Sequence, residues 1–203
     1  MVSASELAAS TWEHIWLVLI STSTAIALAI PGGVLLSRSA GLRRPLLGLA
    51  NVVQTIPSLA LFGLLLPVPL LGGIGKRTAI IALVLYALLP VLRNTLVGIL
   101  SVDAAVRESA LAMGMTDRQL LFQVEMPLAV PAIFAGIRIA TVTTIGTATI
   151  AAAIGGGGLG VFIFRGISMV DMTQVLAGAI PAAAMALLAD EGLGWVERNL
   201  SRV

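Results

Sequence analysis

Five long apolar runs, at 15–36, 46–71, 78–100, 128–154 and 172–189, make up most of this chain. Each is near the ~20 residues that carry a helix across a hydrocarbon core about 30 Å thick. Backbone polar groups find no partner in lipid, so only helices and closed barrels cross it. The apolar and polar alternation of a strand is absent from these runs, which favours helices. The predicted fold class is therefore all-α: a polytopic membrane protein of about five transmembrane helices. It forms one transmembrane unit over 1–203, with its longest polar segment at 101–127. Charged residues are 11% of the chain and mean hydropathy is +1.04. A soluble domain carries about 25% charged residues, so this chain could not clothe a water-facing surface. Pro31, Pro57, Pro67, Pro69, Pro90, Pro131 and Pro181 fall inside the runs, where neighbouring helices can satisfy the freed carbonyls.

Several function classes are excluded early. Net charge is only +2, and the pI near 9.9 reflects few acids rather than a basic patch, so nucleic acid is not an expected partner. There is no cysteine, which removes disulfides, thiolate metal sites and a cysteine nucleophile. His14 is the one histidine, too few for a histidine metal site or triad. Residues 1–6 carry no positive charge, so the first run reads as a retained span rather than a signal peptide.

Lysine and arginine set the expected orientation. Arg38, Arg43 and Arg44 follow the first run, Arg107 and Arg118 the third, and Arg198 and Arg202 the fifth. These regions share one side if the N-terminus is outside and the C-terminus cytoplasmic. Lys76, Arg77 and Arg165 on the other side weaken the bias without reversing it. Trp12 and Trp16 would then mark the outer interface and Trp195 the inner one.

The 101–127 segment is expected to form a cytoplasmic elbow. Asp103 can cap a helix over 104–113. Gly114 can adopt the positive φ that ends it. Thr116-Asp117-Arg118-Gln119 has the form of a capping box opening a second helix. Pro127 is expected to stop that helix. Val106, Ala110 and Met113 recur at helical spacing, as do Leu120, Leu121 and Val124.

Glu108-Ser109-Ala110 through Gly114, then nine residues to Val124-Glu125-Met126-Pro127, resembles the EAA loop of ABC importer permeases. That pattern is Glu-Ala-Ala, three residues, Gly, nine residues, Ile, any residue, Leu, Pro; Ser109, Val124 and Met126 depart from it conservatively. The resemblance implies a type I importer permease fold of the kind found in methionine importers. It implies that Glu108, Ala110, Gly114, Met115 and Pro127 couple the chain to an ATPase. Three further stretches look like the osmoprotectant subgroup, which imports glycine betaine, carnitine and choline: Gln54–Leu61, Leu88–Thr95, and Gly136 through Gly160. Another amino acid or small zwitterion is the alternative solute. The implied partners are a cytoplasmic ATPase that binds ATP and Mg, an extracytoplasmic binding protein on a separate chain, a second permease subunit and membrane lipid. No cofactor is expected on this chain and no catalysis by it. The implied location is a bacterial or archaeal plasma membrane.

Inside the runs, Gly136, Ala140, Thr144, Thr147 and Ala151 share about one helical face. Thr143, Thr144 and Thr147 either line a pathway or serve helix packing. Gln54, Thr55 and Ser58 around Pro57 form either a polar break of the kind that marks transporter sites or a plain kink. Arg93 and Arg138 are intramembrane charges. A positive charge suits a quaternary ammonium poorly, so both are expected to snorkel or to pair with Asp103, Glu108 or Glu125. Two motifs mislead. Gly75-Lys76-Arg77-Thr78 lacks the rest of a Walker A loop, with Leu70 where the earlier glycine belongs. Gly155–Gly158 follows no strand and is expected to turn the chain at the outer end of the fourth run.

Overall fold

A computed structural model describes residues 3–69 and 71–200; Leu70 and Arg202 lie outside the described residues. Among the described residues, four helices are long and apolar enough to cross a membrane, and a sharply bent pair could make a fifth crossing. The first, α1 (Ala4–Arg38), opens with the Ser3 hydroxyl accepting from Glu6 N at 3.1 Å. Its 35 residues span about 50 Å, more than a bilayer core requires. Pro31 sits inside it without ending it.

The second apolar run is not one rod. It is α2 (Ala40–Thr55) and α3 (Ser58–Leu65), which meet at 101°. Pro57 lacks an N–H and drives Ile56 into extended backbone (φ −70°, ψ 126°), so the helix cannot run through. The run also ends early: Pro67 and Pro69 stand in the turn after α3 rather than in a span.

Helix α4 (Lys76–Leu100) is the hub, packing on α1, α2, α3 and α7. Its seam with α1 is built from small residues: Ala25, Ala29 and Gly33 on α1 are buried, four residues apart. Its seam with α7 is equally close, with Gly98 against Ala129 and Ala132, and Gly136 against Asn94 and Pro90. Lipid supplies no hydrophobic drive between helices, so such close approach replaces it. A Cβ at Gly136 would lie 2.6 Å from Asn94 Cβ and 2.9 Å from the Pro90 carbonyl oxygen. Gly136→Leu should therefore push α7 off α4 and destabilise the chain by about 1–3 kcal/mol, read as a lowered thermal midpoint of purified protein in detergent.

After α4 comes α5 (Ala104–Ala112), then α6 (Asp117–Gln119), a π-helical stretch Leu120–Glu125 and α7 (Met126–Ala148). Pro127 does not stop this helix, contrary to the sequence expectation. In the π stretch Met126 N bonds Leu121 O, five residues back. The register is already shifting there, so the missing N–H of Pro127 falls where the ladder is irregular, and its fixed φ suits the first turn of α7. Chain 117–148 thus runs as one continuous helical rod.

A 3₁₀ turn (Ile150–Ile154) and the glycine turn follow; Gly155, Gly157 and Gly158 have φ of +75°, +81° and +78°. This is the chain reversal expected of them. Helix α8 (Gly160–Met169) was not legible beforehand, and α9 (Met172–Leu200) outruns its apolar run by eleven residues, 200 against 189. Asp171 accepts from Thr173 N at 2.9 Å and from the Gln174 side chain at 3.1 Å. These bonds, the Gln174 side chain foremost, hold its carboxyl below the usual aspartate value.

At the end opposite α5, Glu13 pairs with Lys76 at 2.8 Å and Glu6 with Arg165 at 2.8 Å. Buried His14 donates from Nε2 to the Ile145 carbonyl at 3.1 Å. Trp12 and Trp16 meet edge to face there, 5.9 Å between centroids.

Candidate functional site

The elbow forms from local rules. Asp103 Oδ1 accepts from Ala105 N at 2.8 Å and starts α5. Gly114, at φ +84°, ends it, and Met115 N reaches back to Ala110 O at 3.2 Å. Both halves of the capping box are present: Thr116 N donates to Gln119 Oε1 at 2.9 Å, and Gln119 N to Thr116 Oγ1 at 3.4 Å. Ala110 is buried in the crease, while Glu108 is exposed and enters none of the ion pairs among the described residues. Val106, Met113 and Phe122 are exposed, Met113 at 73%. A shallow recess of about 330 Å³ lies between Val106, Ser109, Ala110, Met113, Met115 and Val124. The elbow therefore offers an apolar, partly hollow surface flanked by the exposed carboxylates of Asp103, Glu108 and Asp117.

The residue that ties this elbow to the bundle is Glu125, which the sequence reading assigned elsewhere. It is 1% exposed. Its carboxylate pairs with Arg38 at the end of α1 and with Arg107 Nε of α5 at 3.0 Å. Arg107 also donates to the Ile99 carbonyl at the end of α4. One acid at the root of α7 thus connects the elbow to α1, and through Arg107 to α4. The available signal was that Glu125 is the single acid between 118 and 170, inside an apolar stretch. An acid there needs a partner, but sequence could not say which arginine supplies it.

The intramembrane arginines also differ from expectation. Arg138 pairs with Asp190 and Glu197 of α9, not with Asp103, Glu108 or Glu125. Those α9 acids were missed because the helix was expected to end at 189. Arg93 is exposed and in none of the ion pairs among the described residues.

The remaining pathway candidates do not form one surface. Thr144 is buried at 1%, its hydroxyl without a hydrogen-bond partner. Gly136 and Ala140 are buried with it. Thr143 faces outward, and Thr147 is half-buried and donates to Thr143 O at 2.8 Å. At the α2–α3 bend, Gln54 Nε2 donates to Tyr86 O at 2.9 Å and the Tyr86 hydroxyl to the Ile56 carbonyl. The bend is thus anchored to α4 through the Tyr86 carbonyl, which Pro90 leaves open in α4, and the Ile56 carbonyl at the break before Pro57. Thr55 is exposed, bonded to Val52 O at 2.7 Å, and Ser58 is half-buried.

A family model described as "binding-protein-dependent transport system inner membrane component" matches residues 10–202. A carnitine transport permease protein of Listeria monocytogenes is 47% identical over 193 residues, 95% of this chain and 85% of its own. An osmoprotectant import permease protein of Salmonella typhimurium is 45% identical over 203 residues, 99% of this chain and 93% of its own. A choline transport system permease protein of Bacillus subtilis is 41% identical over 98% of this chain and 90% of its own. Among solved structures, an inward-facing MetNI methionine ABC transporter superposes with a TM-score of 0.88 at 23% identity, over 98% of this chain and 99% of that one. That likeness is one of fold.

Proposed function

The chain belongs to the family of binding-protein-dependent transport system inner membrane components, and on that premise we propose that it imports quaternary-amine osmoprotectants such as glycine betaine, carnitine and choline. In this reading the elbow over 101–127 docks on a separate cytoplasmic ATPase. The observation that carries the docking role is the elbow itself: exposed Glu108 and Met113 on one side, buried Glu125 anchoring the other to α1. A movement imposed on α5 then reaches the spans as a displacement rather than being lost in a slack loop. The N-terminus is outside and the C-terminus cytoplasmic, in a bacterial or archaeal plasma membrane. A binding protein delivers solute at the Trp12 end, and a second permease subunit completes the pore. ATP hydrolysis belongs to the partner chain; this one supplies alternating access. The named relatives support the solute class.

Uptake of labelled glycine betaine tests this. Proteoliposomes would hold this chain, its ATPase and its binding protein, with and without internal ATP. ATP-dependent uptake that choline or carnitine blocks is the expected result. No betaine uptake, with ATPase stimulated by a binding protein loaded with another amino acid, would discard the solute class and keep the importer. The elbow has its own test. A side chain at φ +84° costs roughly 1–2 kcal/mol, so Gly114→Asp should lower uptake and ATPase stimulation several-fold while the chain still inserts. Unchanged coupling in that variant would remove the elbow from the mechanism.

A further inference from the structure

Arg138 stands twelve residues into α7 (138 − 126), roughly 18 Å along its axis. Its Nε and Nη2 donate to Asp190 Oδ1 and Oδ2 at 2.6 and 2.9 Å, and Nη1 lies 3.4 Å from Glu197 Oε2. The pair is not sealed: the side chains of Arg138 and Asp190 stay 34% and 36% exposed. With Glu197 they open into a recess of about 310 Å³ completed by Ala135, Ile139, Val142 and Thr143. The other face of α7, with Gly136, Ala140 and Thr144, is buried in the bundle.

Charges within a span are costly against lipid, and in membrane proteins they face a water-filled cavity or another part of the bundle. An open ion pair with a recess beside it therefore belongs on the side where solute passes. Arg138 alone has the wrong sign for a quaternary ammonium. Asp190, with Glu197 beside it, supplies the missing sign, and Ile139 and Val142 offer an apolar wall to its methyl groups.

We propose that this recess is a transit site for a zwitterionic quaternary amine, with the ammonium against Asp190 and the carboxylate on Arg138. A zwitterion carries both charges of the pair it opens, so each partner exchanges one counter-charge for another. A simple cation satisfies the carboxylate side only and leaves Arg138 without a new partner. The site rests on the osmoprotectant reading above and gives that reading a place in the membrane.

The test is direct binding to the purified permease–ATPase complex in nanodiscs, without binding protein, using labelled glycine betaine and labelled choline. Wild type should bind both saturably. Arg138→Gln should weaken betaine about tenfold, the loss of one charge-assisted contact, and leave choline within twofold. Asp190→Asn should weaken both. The exchanged pair, Arg138→Asp with Asp190→Arg, made together with Glu197→Gln so that no two carboxylates face each other, keeps the link between α7 and α9 and so guards against misfolding of the single variants. It should bind betaine more weakly than wild type. Three results overturn the site: no saturable binding to wild type, equal loss of both solutes in Arg138→Gln, or full betaine binding by the exchanged pair. The last would make the pair a staple between helices. Uptake in proteoliposomes is scored separately, so a complex that imports betaine yet shows no selective binding sinks the site and leaves the function standing.

Discussion

Replacing Glu125 by glutamine should uncouple the chain: ATP is hydrolysed and little solute enters. Glu125 is 1% exposed and faces two arginines from two different elements. Removing one member of a buried ion pair costs about 3–5 kcal/mol, because the remaining charge is left without a partner. Arg38 and Arg107 are 41% and 27% exposed, so water recovers part of that loss and about 2–3 kcal/mol remains. The functional effect should exceed the stability effect. Glu108 and the exposed face of α5 are untouched, so the ATPase should still co-purify. What is lost is the link from α5 to α1, which in the proposed function turns a push on the elbow into movement of the spans. The measurement is solute imported per ATP hydrolysed, beside the thermal midpoint. Glu125→Asp keeps the charge and should recover much of the ratio; Arg107→Gln should lower it. A wild-type ratio in Glu125→Gln would show that the elbow moves the bundle by another route.

The second large effect is at Gly160. A Cβ there would lie 1.8 Å from the Thr149 carbonyl oxygen and 2.6 Å from its carbonyl carbon. Both obstacles are backbone, so neither can rotate aside. Gly160→Ala must displace the start of α8 from the end of α7, and α8 is also packed on α9. The expected cost is at the upper end of overpacking, about 3 kcal/mol, with loss of monodisperse protein on size exclusion in detergent. Gly146→Ala makes the contrast. It lies on α7, nothing lies within 4 Å of its Cβ position, and alanine favours helix by about 0.8–1 kcal/mol. Its thermal midpoint should hold or rise. Equal damage from both substitutions would mean that the α7–α8 contact is not as close as described.

The elbow was readable because every device in it is local. Asp103, Gly114 and the Thr116–Gln119 box each act within a few residues, and hydrogen bonding there matches the sequence pattern. The turn at Gly155–Gly158 was readable for the same reason, since a positive φ is a property of the residue. The failure at Pro127 was also local in origin. A proline rule that holds in a regular α-helix does not hold beside a π stretch, and the π stretch has no sequence signature as plain as a cap.

Apolar length and the paucity of charge determined that this is a helical membrane protein, because backbone groups in lipid must bond within their own segment. The loop pattern with the resemblance it carries pointed to an importer permease. Tertiary structure alone decided which charges meet. Glu125 went to Arg38 and Arg107, and Arg138 to Asp190, across 87, 18 and 52 residues of chain. It also decided that the second apolar run bends by 101° and is anchored on Tyr86. It left Thr143 exposed while Thr144 is buried. The physical reason is the same in each case. A helix pattern says which residues share a face. The partner of that face depends on how close two helices can come, and here that was set by small residues such as Gly33 and Gly136 on opposite sides of α4.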